Sequence, residues 1–280
     1  MTPITVPLRG AMRELNLADL DDMALGATLL GAGGGGDPYI GRLMAVQAIE
    51  TYGAVQIVEP SELDPDGLVV TVAGIGAPTV IAEKPPAGPE FVGAARALAK
   101  YLGKEPVAIM PIEVGGLNTL IPMAAAAEMG LPVIDADSMR RAFPQIEMTT
   151  FTLAGITATP MSMADIKGNV VIFSTTSNQV AEKLARATVM ELGMSAAMSA
   201  YSMTVAEVAK YGIQGSMTYC VDLGRKLSAV QRGERGAFDK FLDFAEGKRV
   251  FSGKIIDLDR RTTAGFARGT VVIEHLNDPT

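Results

Sequence analysis

Three clusters of residues have types and spacings that suit chemistry. The first is Gly31-Ala-Gly-Gly-Gly-Gly36, followed by Asp37-Pro38. Gly31, Gly33 and Gly36 satisfy G-x-G-x-x-G, but the dinucleotide fingerprint requires a preceding strand, and here a helical apolar period precedes it. No Walker lysine follows, so no nucleotide is expected. A glycine loop leaves backbone N–H groups uncovered beside a helix N-terminus of partial positive charge. Gly33, Gly34, Gly35 and Gly36 are therefore candidate receptors for an oxygen of a carboxylate, oxo or phosphate group. A tight crossing of two helices that admits only small residues accounts for the same run. Asp37 before Pro38 reads as a helix cap, with one carboxylate oxygen still able to face a cavity.

The second cluster is Pro111-Ile-Glu113-Val-Gly115-Gly116-Leu-Asn118. It follows an apolar strand and leads into a helix, and ligands of open α/β sheets collect at the carboxyl ends of strands. Glu113 is a candidate base or metal ligand. Asn118 either caps the helix or holds a substrate amide. The third is Asp135-Ala-Asp137-Ser-Met-Arg140-Arg141. Two carboxylates beside two guanidiniums make either an ion-pair network or a polar site. Cys220 has no histidine near it in sequence and reads as a buried thiol. His275 is the single histidine, so a nucleophile–histidine triad would have to recruit it across the fold.

These residues need a scaffold, and the composition bounds it. The 280 residues are 48% hydrophobic and 20% charged, enough for a substantial core. A formal charge of -7, from 31 acidic and 24 basic residues, disfavours a reader of phosphate backbones, so no nucleic-acid partner is expected. One Cys and one His exclude a closed structural zinc site from this chain alone. The start MTPITVPLRG lacks the apolar segment of a signal peptide, and no apolar run reaches membrane-span length, so a cytoplasmic protein without membrane contact is expected.

The periodicities supply the elements. Residues 17–30 read as a helix with Leu20, Met23, Ala27 and Leu30 inward, and a second helix runs from Pro38 to about Thr51. The glycine loop joins the two. Val55, Ile57 and Leu68 to Val72 read as strands, residues 90–102 as a helix, Val107 to Ile112 as a strand, Thr119 to Met129 as a helix and Pro132 to Ile134 as a strand. Beyond Thr149, FTLAGITATP and NVVIFSTT read as strands. Gln179 to Leu192 reads as a helix with Val180, Leu184 and Ala187 inward, and residues 195–203 as a buried strand. Thr204–Tyr211, Ser216–Val230 and Ala237–Glu246 read as helices, before a hairpin around Arg260 to Gly269. The fold class is α/β and multidomain: a Rossmann-like parallel or mixed sheet with flanking helices, a second α+β section and a β-rich C-terminal segment. The expected boundaries are 1–148, 149–247 and 248–280. An acidic chain ending in a bare hairpin predicts a homo-oligomer.

Leu30–Pro38, Pro111–Asn118, Asp135–Pro144 and Gly253-Lys-Ile, in this order and spacing, resemble the S-methyl-thiohydantoin desulfurase family, whose members occur near hydantoinase and oxoprolinase enzymes. The resemblance spans nearly the whole chain. It implies an enzyme that removes sulfur from a thiohydantoin ring, and a β-rich part continuing beyond Gly253–His275. On that reading Glu113 or Asp135 activates water, directly or through a divalent metal such as zinc. The Gly33–Gly36 amides hold a ring oxygen, and Arg140 or Arg141 takes a substrate carboxylate. Asp37, Asn118 and Asp137 complete the candidate set. Two alternatives stand beside it: a hydrolase of another cyclic imide, and a non-catalytic subunit that partners a hydantoinase-like enzyme through its unpaired strand edges.

Overall fold

The structure, a computed structural model, describes residues 14–76, 78–263 and 266–276. The start MTPITVPLRG and the closing residues 278–280 lie outside the described residues. Contacts divide the chain into two units, residues 1–225 and 226–280.

The first unit opens with α1 (Leu17–Gly31) and α2 (Pro38–Tyr52), then β1 (Ile57–Val58), β2 (Leu68–Gly76), α3 (Pro78–Glu83) and α4 (Pro89–Leu102). It continues with β3 (Pro106–Pro111), α5 (Ile121–Met129), β4 (Val133–Ile134), β5 (Ala136–Asp137), α6 (Thr150–Leu153), β6 (Met161–Ala164) and β7 (Val170–Phe173). Then come α7 (Asn178–Glu191), β8 (Ser195–Ser199), β9 (Met203–Thr204), α8 (Val205–Tyr211), β10 (Ile213–Gln214) and α9 (Ser216–Gln231), within which the unit boundary falls.

The main sheet has the order β1-β4-β3-β2-β8-β6-β7, with β9 also on β2. The first four strands are parallel and the rest antiparallel, so the sheet is mixed. It takes strands from both sides of residues 148 and 149. The side-chain period of two along β2 sorts the core. Leu68, Val70 and Val72 pack with α1, α2, α4 and α5. Val69, Ala73 and Ile75 pack with α7 and α8. Helices thus cover both faces, which is why β2 carries apolar residues on both of its sides, with only the buried Thr71 polar.

The first two helices match the expectation at their starts and end one residue later than expected. Asn16 caps α1 in a capping box, Asp37 caps α2 with Pro38 in the first turn, and Gly53 ends it. Two expectations fail outright, and the strand expected over 195–203 breaks at residues 200–202 into β8 and β9. FTLAGITATP is not a strand: Thr149 accepts from the Thr152 amide and nucleates α6, Gly155 follows at φ +82°, and pairing starts only at Met161. The inward face of α7 is Ala181, Glu182, Ala185 and Val189, while Val180, Leu184 and Ala187 are exposed. Small residues face the sheet there, and Glu182 is buried beside them with its carboxylate holding the amide of Ile146 in a neighbouring loop. Among the described residues no helix is long and apolar enough to cross a membrane.

The second unit holds the end of α9, α10 (Ala237–Phe244) and the antiparallel hairpin β11 (Gly253–Thr263) with β12 (Phe266–His275). The pairs Ile255–Ile273 and Leu258–Val271 share one hairpin face, and all four side chains are exposed.

Candidate functional site

The site grows from the parallel register of β2 and β3. Val72 pairs with Pro111, which sets Gly74 level with Glu113 at the carboxyl ends of the two strands. Asn118 joins them. Its Nδ2 donates to Glu113 Oε1 at 2.7 Å and to the Gly74 carbonyl at 3.2 Å. Its Oδ1 accepts from the Gly74 amide at 2.7 Å. Glu113 Oε2 accepts from the Phe143 amide at 2.9 Å. Glu113 is buried. That burial outweighs its two hydrogen bonds and, with the charge of nearby Asp137, pushes its carboxyl up to about 7. A carboxyl poised there can accept and return a proton at neutral pH.

The glycine loop forms one wall by backbone-on-backbone packing. The Gly35 and Gly36 carbonyls accept from the Asn118 and Leu117 amides at 3.1 and 3.2 Å. Gly116, at φ +62°, has no room for a Cβ, which would stand 2.4 Å from the Gly36 carbonyl oxygen. A cleft of about 100 Å³ lies alongside, lined by Gly35, Gly36, Glu113, Asn118, Phe143 and Arg186 among others.

Arg186 is the group the sequence reading missed. Its Nε donates to Glu182 Oε1 at 2.6 Å, and its Nη2 donates to the Pro144 carbonyl at 3.1 Å. Glu182 Oε2 accepts from the Ile146 amide at 2.9 Å. The Tyr201 hydroxyl donates to the Ile146 carbonyl at 2.8 Å and sits within hydrogen-bond reach of Thr149 and Thr152. The wall from Phe143 to Ile146 is thus clamped from two directions. The Glu182–Arg186 spacing of four on a predicted helix was the available signal.

The remaining candidates lie outside the cleft lining. Asp37 is exposed and accepts from the Tyr39 amide. Gly33 is exposed, and Gly34 packs toward Ala142. Asp135 accepts from the Met217 and Thr218 amides and from the Thr218 hydroxyl, so it caps α9 from a neighbouring strand. Asp137 accepts from the Val114 and Arg140 amides and from Ser216 Oγ. Burial raises both carboxyls, Asp137 to about 6. The Arg140 guanidinium donates to the Gln214 carbonyl and stacks 4.9 Å from the Tyr219 ring centroid. Arg141 is exposed and its Nε donates to the Ala142 carbonyl. Asp135, Asp137 and Arg140 therefore fasten β5, β10 and α9 behind Glu113. Asp135→Ala orphans three donors, two of them helix N-terminal amides, and is expected to cost about 2–3 kcal/mol in chemical denaturation. A loss under about 0.5 kcal/mol would mean that solvent replaces the cap.

A divalent ion does not fit this donor set. Every oxygen of Glu113, Asp135 and Asp137 already accepts from a protein donor, and among the described residues no three His, Cys, Asp or Glu side chains converge.

The family model described as S-Me-THD-like, N-terminal domain, matches residues 18–175, and the one described as S-Me-THD-like, C-terminal domain, matches residues 176–280. The fold is similar to the X-ray crystal structure of a protein from Chromobacterium violaceum, at 26% identity and a TM-score of 0.71, over 93% of this chain and 72% of that one. No curated protein matches the chain.

Proposed function

This chain belongs to the S-Me-THD-like family, and on that premise we propose that its cleft hydrolyses a thiohydantoin or S-methyl-thiohydantoin ring at the carbon bearing sulfur. The observation that carries the reading is Glu113: a buried carboxyl at a strand end, raised to about 7, on the wall of a cleft of ring-binding size.

For the S-methyl ring the balance is simple. Ionised Glu113 takes a proton from water as the water oxygen bonds to the ring carbon. The C–S bond then breaks, and Glu113 returns that proton to sulfur. The hydroxyl left on carbon becomes the carbonyl, and its proton goes to the ring nitrogen. Hydantoin and methanethiol result; the parent thiohydantoin gives hydrogen sulfide instead. Asn118 and the Phe143 amide hold the carboxylate in place through both steps. The Gly35 and Gly36 backbone receives a ring oxygen. Arg186, rather than Arg140 or Arg141, meets a substrate carboxylate, because of these three it is the one that lines the cleft.

The test is thiol release from both rings by the purified chain. Thiol and hydantoin appearing in equal amounts is the expected result. Hydrolysis of a hydantoin without thiol release from either sulfur ring would move the reading to another cyclic imide. No turnover alone, with activity restored by a hydantoinase-like enzyme, would favour the subunit reading, and the exposed face of the β11–β12 hairpin supports that second reading.

A further inference from the structure

We infer that the cleft continues into a second chamber, where the free carboxylate oxygen of Glu90 binds a cationic tip on an alkyl arm of the substrate ring. The inference rests on the ring-binding reading above and names the class of ring.

The chamber is narrow, about 20 Å³, and shares Gly74, Ile81 and Leu117 with the cleft, so an arm on a ring held in the cleft can reach it. Pro85, Pro86, Phe91 and Ile166 give it apolar walls suited to methylene groups. Glu90 also lines it and is only 7% exposed. Its Oε1 accepts from the Ala87 amide at 2.9 Å, in the first turn of α4. Its Oε2 is buried and, among the described residues, has no partner. A buried carboxylate oxygen left without a donor is costly, and a ligand that brings the donor recovers that cost on binding.

The neighbouring groups favour a cation over a neutral donor. Asp165 lines the same chamber, and both its oxygens are engaged by Lys167 and Asn169, so it adds negative charge and offers Glu90 nothing. Lys84 is exposed at the chamber and does not hydrogen-bond Glu90 Oε2. Two carboxylates therefore face one ammonium. An ammonium or guanidinium on a short alkyl arm satisfies the charge, the donor and the apolar walls together.

The experiment is calorimetric titration of the full chain with three probes: a butyl-substituted hydantoin, its aminobutyl counterpart, and butylammonium without a ring. The aminobutyl hydantoin is expected to bind about ten-fold tighter than the butyl one, the scale of one charge-assisted hydrogen bond. Glu90→Gln, which keeps an acceptor for the Ala87 amide, is expected to erase that difference. Equal affinity of the two hydantoins for the wild-type chain overturns the chamber inference and leaves the ring reading standing. If neither hydantoin binds, the ring reading falls and butylammonium decides. Binding that Glu90→Gln abolishes supports the chamber, and no binding overturns it.

Discussion

Glu113→Gln lowers turnover by about 10³-fold, the middle of the range for losing a general base, and makes the protein more stable at pH 8. The two effects have one cause. In the folded chain the carboxyl is raised from 4.5 to about 7 by burial. Between those pH values the folded state binds a proton that the unfolded state releases. Stability therefore falls as pH rises from about 4.5 to about 7, and is flat above. The total is about 3 kcal/mol at pH 8, from a shift of about 2.5 units. Asp137, raised from 3.8 to about 6, adds a fall of the same sign over the lower part of that window. Glutamine removes the Glu113 contribution and fills the same volume. It also sets an amide N–H₂ against either Asn118 Nδ2 or the Phe143 amide, which costs one hydrogen bond. The net gain is about 1–2 kcal/mol. Denaturation from pH 5 to 8 should show the slope reduced in the variant, with what the raised Asp137 and Asp135 contribute left. The rate carries the opposite signature: kcat/KM of the wild-type chain rises with pH through about 7 as Glu113 ionises. Turnover within about three-fold of wild type, a barrier change under 1 kcal/mol, would remove Glu113 from the role of base.

Gly35→Ala is expected to lose more than about 3 kcal/mol of stability and to close the cleft, while Gly33→Ala loses about 1 kcal/mol. Both glycines have positive φ, +72° and +90°, so both substitutions meet the left-handed penalty. They differ in what a methyl would touch. At Gly35 it would stand 2.1 Å from the Gly115 carbonyl oxygen and 3.3 Å from Glu113 Oε1. At Gly33 nothing among the described residues lies within 4 Å. The obstacle at Gly35 is backbone, which cannot rotate aside, so the glycine loop must lift from the Gly115–Gly116 segment. Urea denaturation of the two variants, with thiol release from each, measures the contrast. Equal losses would mean that the close approach of the two glycine segments is absent in solution.

The loop itself shows how far sequence carries. Its place between two helices, the Asp37 cap and the position of Glu113 at a strand end all follow from local rules: spacing, capping chemistry and the turn from β to α. Whether the glycines bind or pack is not a local matter. The structure gives them both settings, pressed against Gly116 and lining the cleft, because the partner segment is some 80 residues away. Asp135 and Asp137 sit at strand ends as Glu113 does, and only the long-range partners Ser216, Met217 and Thr218 distinguish scaffold from cleft. Arg186 was hidden for the converse reason. Its helix is legible in the sequence, but hydrophobicity points to the Val180–Leu184 face, and the buried Glu182 turns the helix the other way. FTLAGITATP carries β-branched residues, yet one threonine cap and one glycine decide its first turn.

The clamp on Phe143–Ile146 has a consequence for affinity. This wall has no regular secondary structure, and such segments usually give up conformational freedom when a ligand arrives. Here both backbone groups of Ile146 and the carbonyl of Pro144 are already held by side chains from α7 and from Tyr201. The ordering cost was met during folding. A ring entering the cleft meets a surface already in its bound shape, and its contacts with that wall pass into binding free energy undiminished by loop ordering.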